Sequence, residues 1–248
     1  MDLHDFTQLK EKGKGFDFWW FKGKNDLIKI IIKNLGSHNN KVLNVGCGIG
    51  EDLGILSQYT DLYMLDISKK TLDVIPDSIK GKKILGDALE IPFKKNFFEG
   101  VVTFDLLEHI KDDKRVIDEI YRVLKTKGYV FMTVPAIPFL YSTHDKVLKH
   151  HRRYSKKMVY NLVNNKFKII RITYWNFFLF LPTAVLRLIK KIIHFGNPHS
   201  TPTSDLKNLP SSINILLTKI IKFENRLIKK GINLPIGTSF VVILQKRK

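Results

Sequence analysis

The sequence predicts an α/β fold: a doubly wound, mostly parallel sheet of seven strands, with a basic amphipathic helical insertion between the last two. Three observations carry that expectation. Short apolar runs alternate with helix-length stretches through the first half of the chain. The first of those runs ends in closely spaced glycines. Two more strand-like runs flank a long stretch of helical periodicity towards the C-terminus.

The strands are taken in order. "KVLNVG" (41–46) reads as a buried strand closed by glycine, "DLYMLD" (61–66) as a second, "KKILGD" (82–87) as a third, "GVVTFD" (100–105) as a fourth and "GYVFMTVP" (128–135) as a fifth. Between the last two, Val116, Ile117, Ile120, Val123 and Leu124 recur at helical spacing, and Gly128 ends the pattern. "FKIIRITYW" (167–175) and "TSFVVILQK" (238–246) complete the set. Between them, "NFFLFLPTAVLRLIKKIIHF" and "SSINILLTKIIKFENRLIKK" read as two basic amphipathic helices joined by a polar linker. The uncharged run Ile172 to Leu186 is broken by Pro182 and is shorter than the roughly 20 residues a membrane-spanning helix needs. The expected division is an N-terminal helical and aromatic cap over 1–40, a cofactor-binding core over 41–175, the helical insertion over 176–237 and a final strand over 238–248.

Composition narrows the class. Hydrophobic residues make up 44% of 248, which excludes a disordered chain. A single cysteine, Cys47, allows no internal disulfide and no cysteine-rich zinc site. The N-terminus is charged from its second residue, so no secretion signal is expected and a cytoplasmic location fits. Charge is unevenly spread. Residues 1–136 carry 21 Lys+Arg against 20 Asp+Glu, whereas residues 137–248 carry 21 against three, Asp145, Asp205 and Glu224. The C-terminal part therefore expects an anionic partner: a membrane surface, a phosphorylated substrate or nucleic acid.

The glycines define the chemistry. Gly46, Gly48 and Gly50 follow the first strand directly, permitting a tight turn and close approach of a ligand to backbone. A nicotinamide-type fingerprint would need glycine where Glu51 stands. Asp66 ends the second strand twenty residues after Gly46, and a carboxylate there can accept both hydrogen bonds of a ribose diol. Asp87, ending the third, suits the exocyclic amine of an adenine.

With "VLNVGCGIG", "LDIS" (65–68), "GDALEIPF" (86–93), "FFEGVVTFDLLEHI" (97–110) and "RVLKTKGYVFMTVP" (122–135) in this order, the chain resembles the class I S-adenosylmethionine-dependent methyltransferases, and among them the type 11 group. The resemblance covers about 41–135 and implies a Rossmann-like methyltransferase with S-adenosylmethionine as cofactor and S-adenosylhomocysteine as product. It places Gly46, Gly48 and Gly50 along the methionine and ribose, Asp66 on the ribose hydroxyls and Ile67 on the adenine. Asp87 and Ala88 would read the adenine edge, and Asp105 would lie near the amino-acid end. Two positions depart from the pattern: Asn44 stands for the usual aspartate, and "TK" before Gly128 for a Pro-Gly pair. "FWWFKGKN" (18–25) resembles an aromatic-plus-basic element upstream of the first motif in relatives, suited either to closing over the cofactor or to packing on the sheet edge.

The acceptor side is expected from "HDKVLKHHRRYS" (144–155), which follows the fifth strand. His144 with Asp145 offers a base and its partner, and His109 in "LEH" offers another base or a loop support. Arg152 and Arg153, with Lys149 nearby, offer forked donors for a phosphate or carboxylate. Alternatively Arg153 and Tyr154 brace the next helix, with Ser155 as its N-cap. His144, Asp145, His150 and His151 show no metal-ligand spacing, so no metal is expected. "FDLLEH" lacks the Pro-Pro run of base-amine methyltransferases. The acceptor is therefore expected to be anionic, small or linked to a lipid or glycan, with transfer to oxygen and a membrane surface as partner. RNA methylation, or cofactor binding without catalysis, is the alternative. The sequence leaves the oligomeric state open.

Overall fold

The computed structural model describes residues 18–32, 40–50, 52–196 and 209–247. Most of the expected N-terminal cap, Glu51 and the polar linker lie outside these residues. In chain order the elements are α1 (Trp19–Ile32), β1 (Lys41–Val45), α2 (Leu53–Tyr59), β2 (Asp61–Asp66), α3 (Lys69–Asp73), β3 (Lys82–Leu85), β4 (Phe98–Phe104), a 3-10 turn (Leu107–His109) and α4 (Asp113–Val123). There follow β5 (Leu124–Pro135), a second 3-10 turn (Pro138–Leu140), α5 (Thr143–Val147), α6 (Lys156–Val163), β6 (Phe167–Trp175), α7 (Phe180–Gly196), α8 (Ser211–Lys229) and β7 (Ser239–Lys246).

The strands form one seven-stranded sheet in the order β3-β2-β1-β4-β5-β7-β6. β1 pairs in parallel with both β2 and β4, and β7 runs antiparallel between β5 and β6. The chain winds outward from β1 in one direction and from β4 in the other. Their carboxyl ends therefore meet at the switch point where α/β sheets bind ligands. The sheet is covered on both faces, which explains why β1 and β2 are apolar without alternation. One face packs Val116, Ile117, Ile120 and Val123 of α4 with Val159 and Val163 of α6. The other packs Leu27, Ile28, Ile31 and Ile32 of α1, Leu53 and Leu56 of α2 and Ile221 and Ile228 of α8. Each such side chain contributes roughly 1.5–3 kcal/mol of burial.

Two boundaries differ from the sequence reading. β5 begins at Leu124, inside the stretch read as helix, because Leu124 pairs with Phe98 ahead of a bulge in β5, where Tyr129 pairs next with Gly100. Lys127 turns that bulge with φ +65°, and a Cβ on Gly128 would stand 2.8 Å from the Glu99 carbonyl oxygen. The helix read from Asn176 begins at Phe180, which puts Pro182 in the first turn of α7, where its missing N–H has no partner to lose. Among the described residues, no helix is long and apolar enough to cross a membrane.

Candidate active site

The glycine turn is tied to the neighbouring strand by backbone. The N–H groups of Gly46 and Cys47 both donate to the Leu65 carbonyl, at 2.9 and 3.0 Å. Gly46, Gly48 and Gly50 take φ of +70°, +55° and +96°, a region closed to most side chains. A Cβ on Gly46 would lie 2.6 Å from Leu106, whereas one on Gly48 would project into open space. Asp66 holds the same turn, its carboxylate accepting from Gly48 N–H at 3.0 Å and from Ser68 N–H at 2.9 Å. Each oxygen is thus fixed in place and keeps lone pairs for a ligand hydroxyl. Ile67 beside it is an apolar side chain left 72% exposed. Asp87 holds the next turn by accepting from Leu89 N–H at 2.8 Å, and Ala88 is buried behind it.

Asp105 follows β4 with φ +53° and accepts a hydrogen bond from the Thr133 hydroxyl at 2.9 Å. Its other oxygen lies 3.1 Å from the Lys24 ammonium, which is also 3.1 Å from Asp52. The sequence did not mark Lys24 or Asp52 as partners, since they lie on α1 and before α2. What puts Lys24 there is the seam between α1 and α8. Ile221 fills the space over Gly23, where a Cβ would come within 2.5 Å of it. Asn225 donates to the Gly23 carbonyl and to Asp26, both at 2.9 Å, and Trp20 packs on Trp175 with ring centroids 4.7 Å apart. The aromatic-plus-basic element therefore packs on the sheet and also reaches the crevice. Burial raises the Asp52 carboxyl against the opposing pull of Lys24. Cys47 is buried, and burial followed by the charge of Asp66 pushes its thiol up, so it is no nucleophile.

The segment expected on the acceptor side is built on Asp145, which is fully buried. It accepts from Ser142 N–H at 2.9 Å, Arg153 Nε at 2.8 Å and a ring nitrogen of His150, Nδ1, at 3.0 Å. Burial alone would raise this carboxyl; the bonds from His150 and Arg153 outweigh it and hold it well below the usual carboxylate range. The imidazole bonded to Asp145 is thus His150, where the sequence suggested His144. The reason is geometric: α5 ends at Val147, and Lys149 turns the chain back with φ +57°. His144 lies half-buried on α5.

Both arginines are bonded within the protein. Arg153 is buried and donates through Nη1 to the carbonyls of Ala136 at 3.1 Å and Thr238 at 3.4 Å. Arg152 pairs with Asp113 at 2.8 Å and donates to the Lys111 carbonyl at 2.7 Å. Tyr154 donates to Asp113 at 2.7 Å, and Ser155 caps α6 by accepting from Met158 N–H at 3.1 Å. The bracing geometry is the one these residues adopt. Facing Asp145 and His150 is the 3-10 turn after β4. His109 meets His150 edge to face at 4.7 Å, and burial, then the neighbouring His150, lower it to about 4. Glu108 is wholly buried, and burial, then the charge of Asp105, hold its carboxyl well above the usual range.

An adenosyl sulfonium fits this crevice: a fixed carboxylate for the ribose diol, an exposed Ile67 for the adenine face and an open turn at Gly48. Comparisons agree. A family model described as a methyltransferase domain matches residues 43–132. An uncharacterised protein of Methanocaldococcus jannaschii is 30% identical over 179 residues, 69% of this chain and 75% of its own length. The chain belongs to the class I S-adenosylmethionine-dependent methyltransferases, and it is an enzyme that uses S-adenosylmethionine. Relatives that are named as methyltransferases are matched over less than half of their own length. Among solved structures, a methyltransferase of Haloferax volcanii in complex with its Trm112 activator aligns with a TM-score of 0.63 at 15% identity, over all of this chain and 97% of that one. A phosphoethanolamine methyltransferase of Haemonchus contortus holding S-adenosylmethionine aligns at 0.58 and 17% identity, over 94% of this chain and 57% of that one. Both likenesses concern the fold.

Proposed function

We propose that this methyltransferase acts on an oxygen of an anionic acceptor, small or carried on a lipid or glycan, and meets it at a membrane surface. The observation that carries the reading is an apolar face bordered by cations. On α7, Leu181, Val185, Leu186 and Ile189 are exposed, Leu181 by 69%. On α8, Ile215, Leu216 and Phe223 are exposed, and the Phe223 ring lies 5.7 Å from that of Phe178, two residues before α7, so the two stripes join. Lys219, Lys222, Arg226, Lys229 and Lys230 stand exposed on and after α8. Aliphatic side chains beside lysines are the pattern of helices that lie in an anionic interface.

S-adenosylmethionine supplies an activated methyl group, so the protein has to align the acceptor and exclude water. Asp66 fixes the ribose end. At the other end His109, neutral at pH 7 because burial keeps it so, accepts the proton that a hydroxyl acceptor releases. His150, locked by Asp145, sets the plane in which His109 can turn. The test is sedimentation with vesicles. Binding to phosphatidylglycerol vesicles at low salt, weakened by salt and by Leu186→Asp with Val185→Asp, supports the reading. Equal indifference to anionic and neutral vesicles, with salt-dependent capture of tRNA instead, would replace it with an RNA acceptor.

A further inference from the structure

We infer that Glu108, His109 and His150 form a site for one divalent transition-metal ion of the zinc or cobalt kind, on the acceptor side of the crevice. One ligand atom from each lies within 4.8 Å of the other two. The 3-10 turn after β4 supplies Glu108 and His109 as neighbours, and the chain reversal after α5 delivers His150 opposite them. Two imidazoles and one carboxylate are a donor set for zinc, cobalt, iron or nickel rather than for calcium or magnesium.

An independent observation points at the same place. Glu108 is 0% exposed, and neither of its carboxylate oxygens has a hydrogen-bond partner. A buried carboxyl left this way costs on the order of 1–3 kcal/mol even when neutral. The nearby cations are committed elsewhere: Lys24 to Asp52 and Asp105, Arg153 to Asp145 and two carbonyls. The nearest ring nitrogen, His150 Nε2, stands 4.0 Å from Glu108 Oε1. That gap is too wide for a hydrogen bond. It is close to the spacing of two ligands on one ion, each about 2.0–2.2 Å from the metal.

The surrounding shell also fits. Asp145 accepts from the Nδ1–H of His150 at 3.0 Å. A carboxylate behind a histidine fixes its tautomer and turns the Nε2 lone pair outward, the usual support of a metal-bound imidazole. Here Nε2 turns towards Glu108. Three protein ligands leave a fourth position open. Given the proposed function, an acceptor oxygen would take that position; with an ion bound His109 is a ligand and no longer the proton acceptor, and the ion would instead lower the pKa of the acceptor hydroxyl so that its proton passes to solvent. The site itself rests on the geometry alone.

The experiment titrates tag-free, cofactor-free protein with Co2+ and follows visible d–d absorption, with Zn2+ competition read by calorimetry. Wild type is expected to bind one equivalent in a non-octahedral spectrum that Zn2+ abolishes. Glu108→Gln and His150→Gln should each weaken binding by about 100-fold or more, and the exposed His151→Gln should bind as wild type does, since losing even an outer-shell partner costs roughly 10–100-fold. Far-UV circular dichroism certifies each fold. Glu108→Gln is near-isosteric, and a neutral amide is tolerated where the carboxyl is already unpaired. Absence of stoichiometric Co2+ binding to wild type overturns the inference, as does equal affinity in wild type and Glu108→Gln. Neither result bears on vesicle binding, so the two readings fail separately.

Discussion

Arg153→Met tests the segment expected on the acceptor side most directly. Arg153 joins three segments: Nε donates to Asp145 at 2.8 Å, and Nη1 to the carbonyls of Ala136 and Thr238 at 3.1 and 3.4 Å. Methionine fills similar volume but leaves a fully buried Asp145 without its cation and two carbonyls without a donor. Breaking one partner from a buried pair costs about 3–5 kcal/mol. Arg153→Lys keeps the charge but cannot span both sides of the fork, so it should fall between the two. The effect has a pH signature. Asp145 is held low in the folded state by His150 and Arg153, so its contribution is complete above the unfolded carboxylate pKa of about 3.9 and lost as pH falls below it. The penalty of Arg153→Met should therefore be full at pH 7 and shrink below about pH 4. Urea denaturation across that range measures it. A variant within about 1 kcal/mol of wild type at pH 7 would refute the bracing role. So would unchanged stability with selective loss of acceptor binding, which would make Arg153 the anion clamp instead.

Three further outcomes are expected. Asp66→Ala should weaken S-adenosylmethionine by at least about 100-fold, since two charge-assisted bonds contribute roughly 1.5–3 kcal/mol each and the glycine turn loses its anchor; calorimetry reads it, and an unchanged Kd would remove Asp66 from the site. Lys127→Gly should stabilise the protein by about 0.5–1 kcal/mol, because relief of the left-handed backbone exceeds the entropy a glycine adds to the unfolded chain, and a fall in Tm would contradict this. Glu224→Gln should cost about 1–3 kcal/mol, because one amide oxygen cannot serve every N–H that the carboxylate serves. Burial pushes Glu224 up to about 7, against the N–H groups of Phe178, Asn176 and Phe177. Wild type therefore gains stability as pH falls through 7 towards 4.5, and the glutamine variant lacks that slope, so its deficit should widen at lower pH.

The two halves of the site were unequally legible, for a physical reason. The cofactor half is assembled from local pieces: a glycine turn, then an acid at the end of the next strand. Gly48 and Asp66 meet because adjacent parallel strands end level, which sequence spacing encodes. The acceptor half depends on chain reversal. Lys149 at φ +57° sends His150, not His144, to Asp145, and nothing in "HDKVLKHH" reports a backbone angle. Glu108 and Lys24 were missed because their surroundings come from segments far along the chain. Arg153 was read as a fork for an acceptor anion or as a brace, and the direction it takes depends on the carbonyl of Thr238, 85 residues away.

One signal was present and could have been used. After residue 136 the chain has 21 basic residues and three acids, so each acid there is conspicuous. Such acids cannot serve charge balance, and both of the described ones are 0% exposed. Asp145 gathers Ser142, His150 and Arg153 around itself. Glu224 accepts from the backbone N–H groups of Asn176, Phe177 and Phe178 at 2.5, 2.8 and 3.3 Å and so holds the approach to α7. A buried carboxylate survives only where several donors converge on it. A rare acid in a basic stretch therefore marks a place where the backbone turns and needs an acceptor. Here the two places are the chain reversal after α5 and the root of the exposed apolar helix.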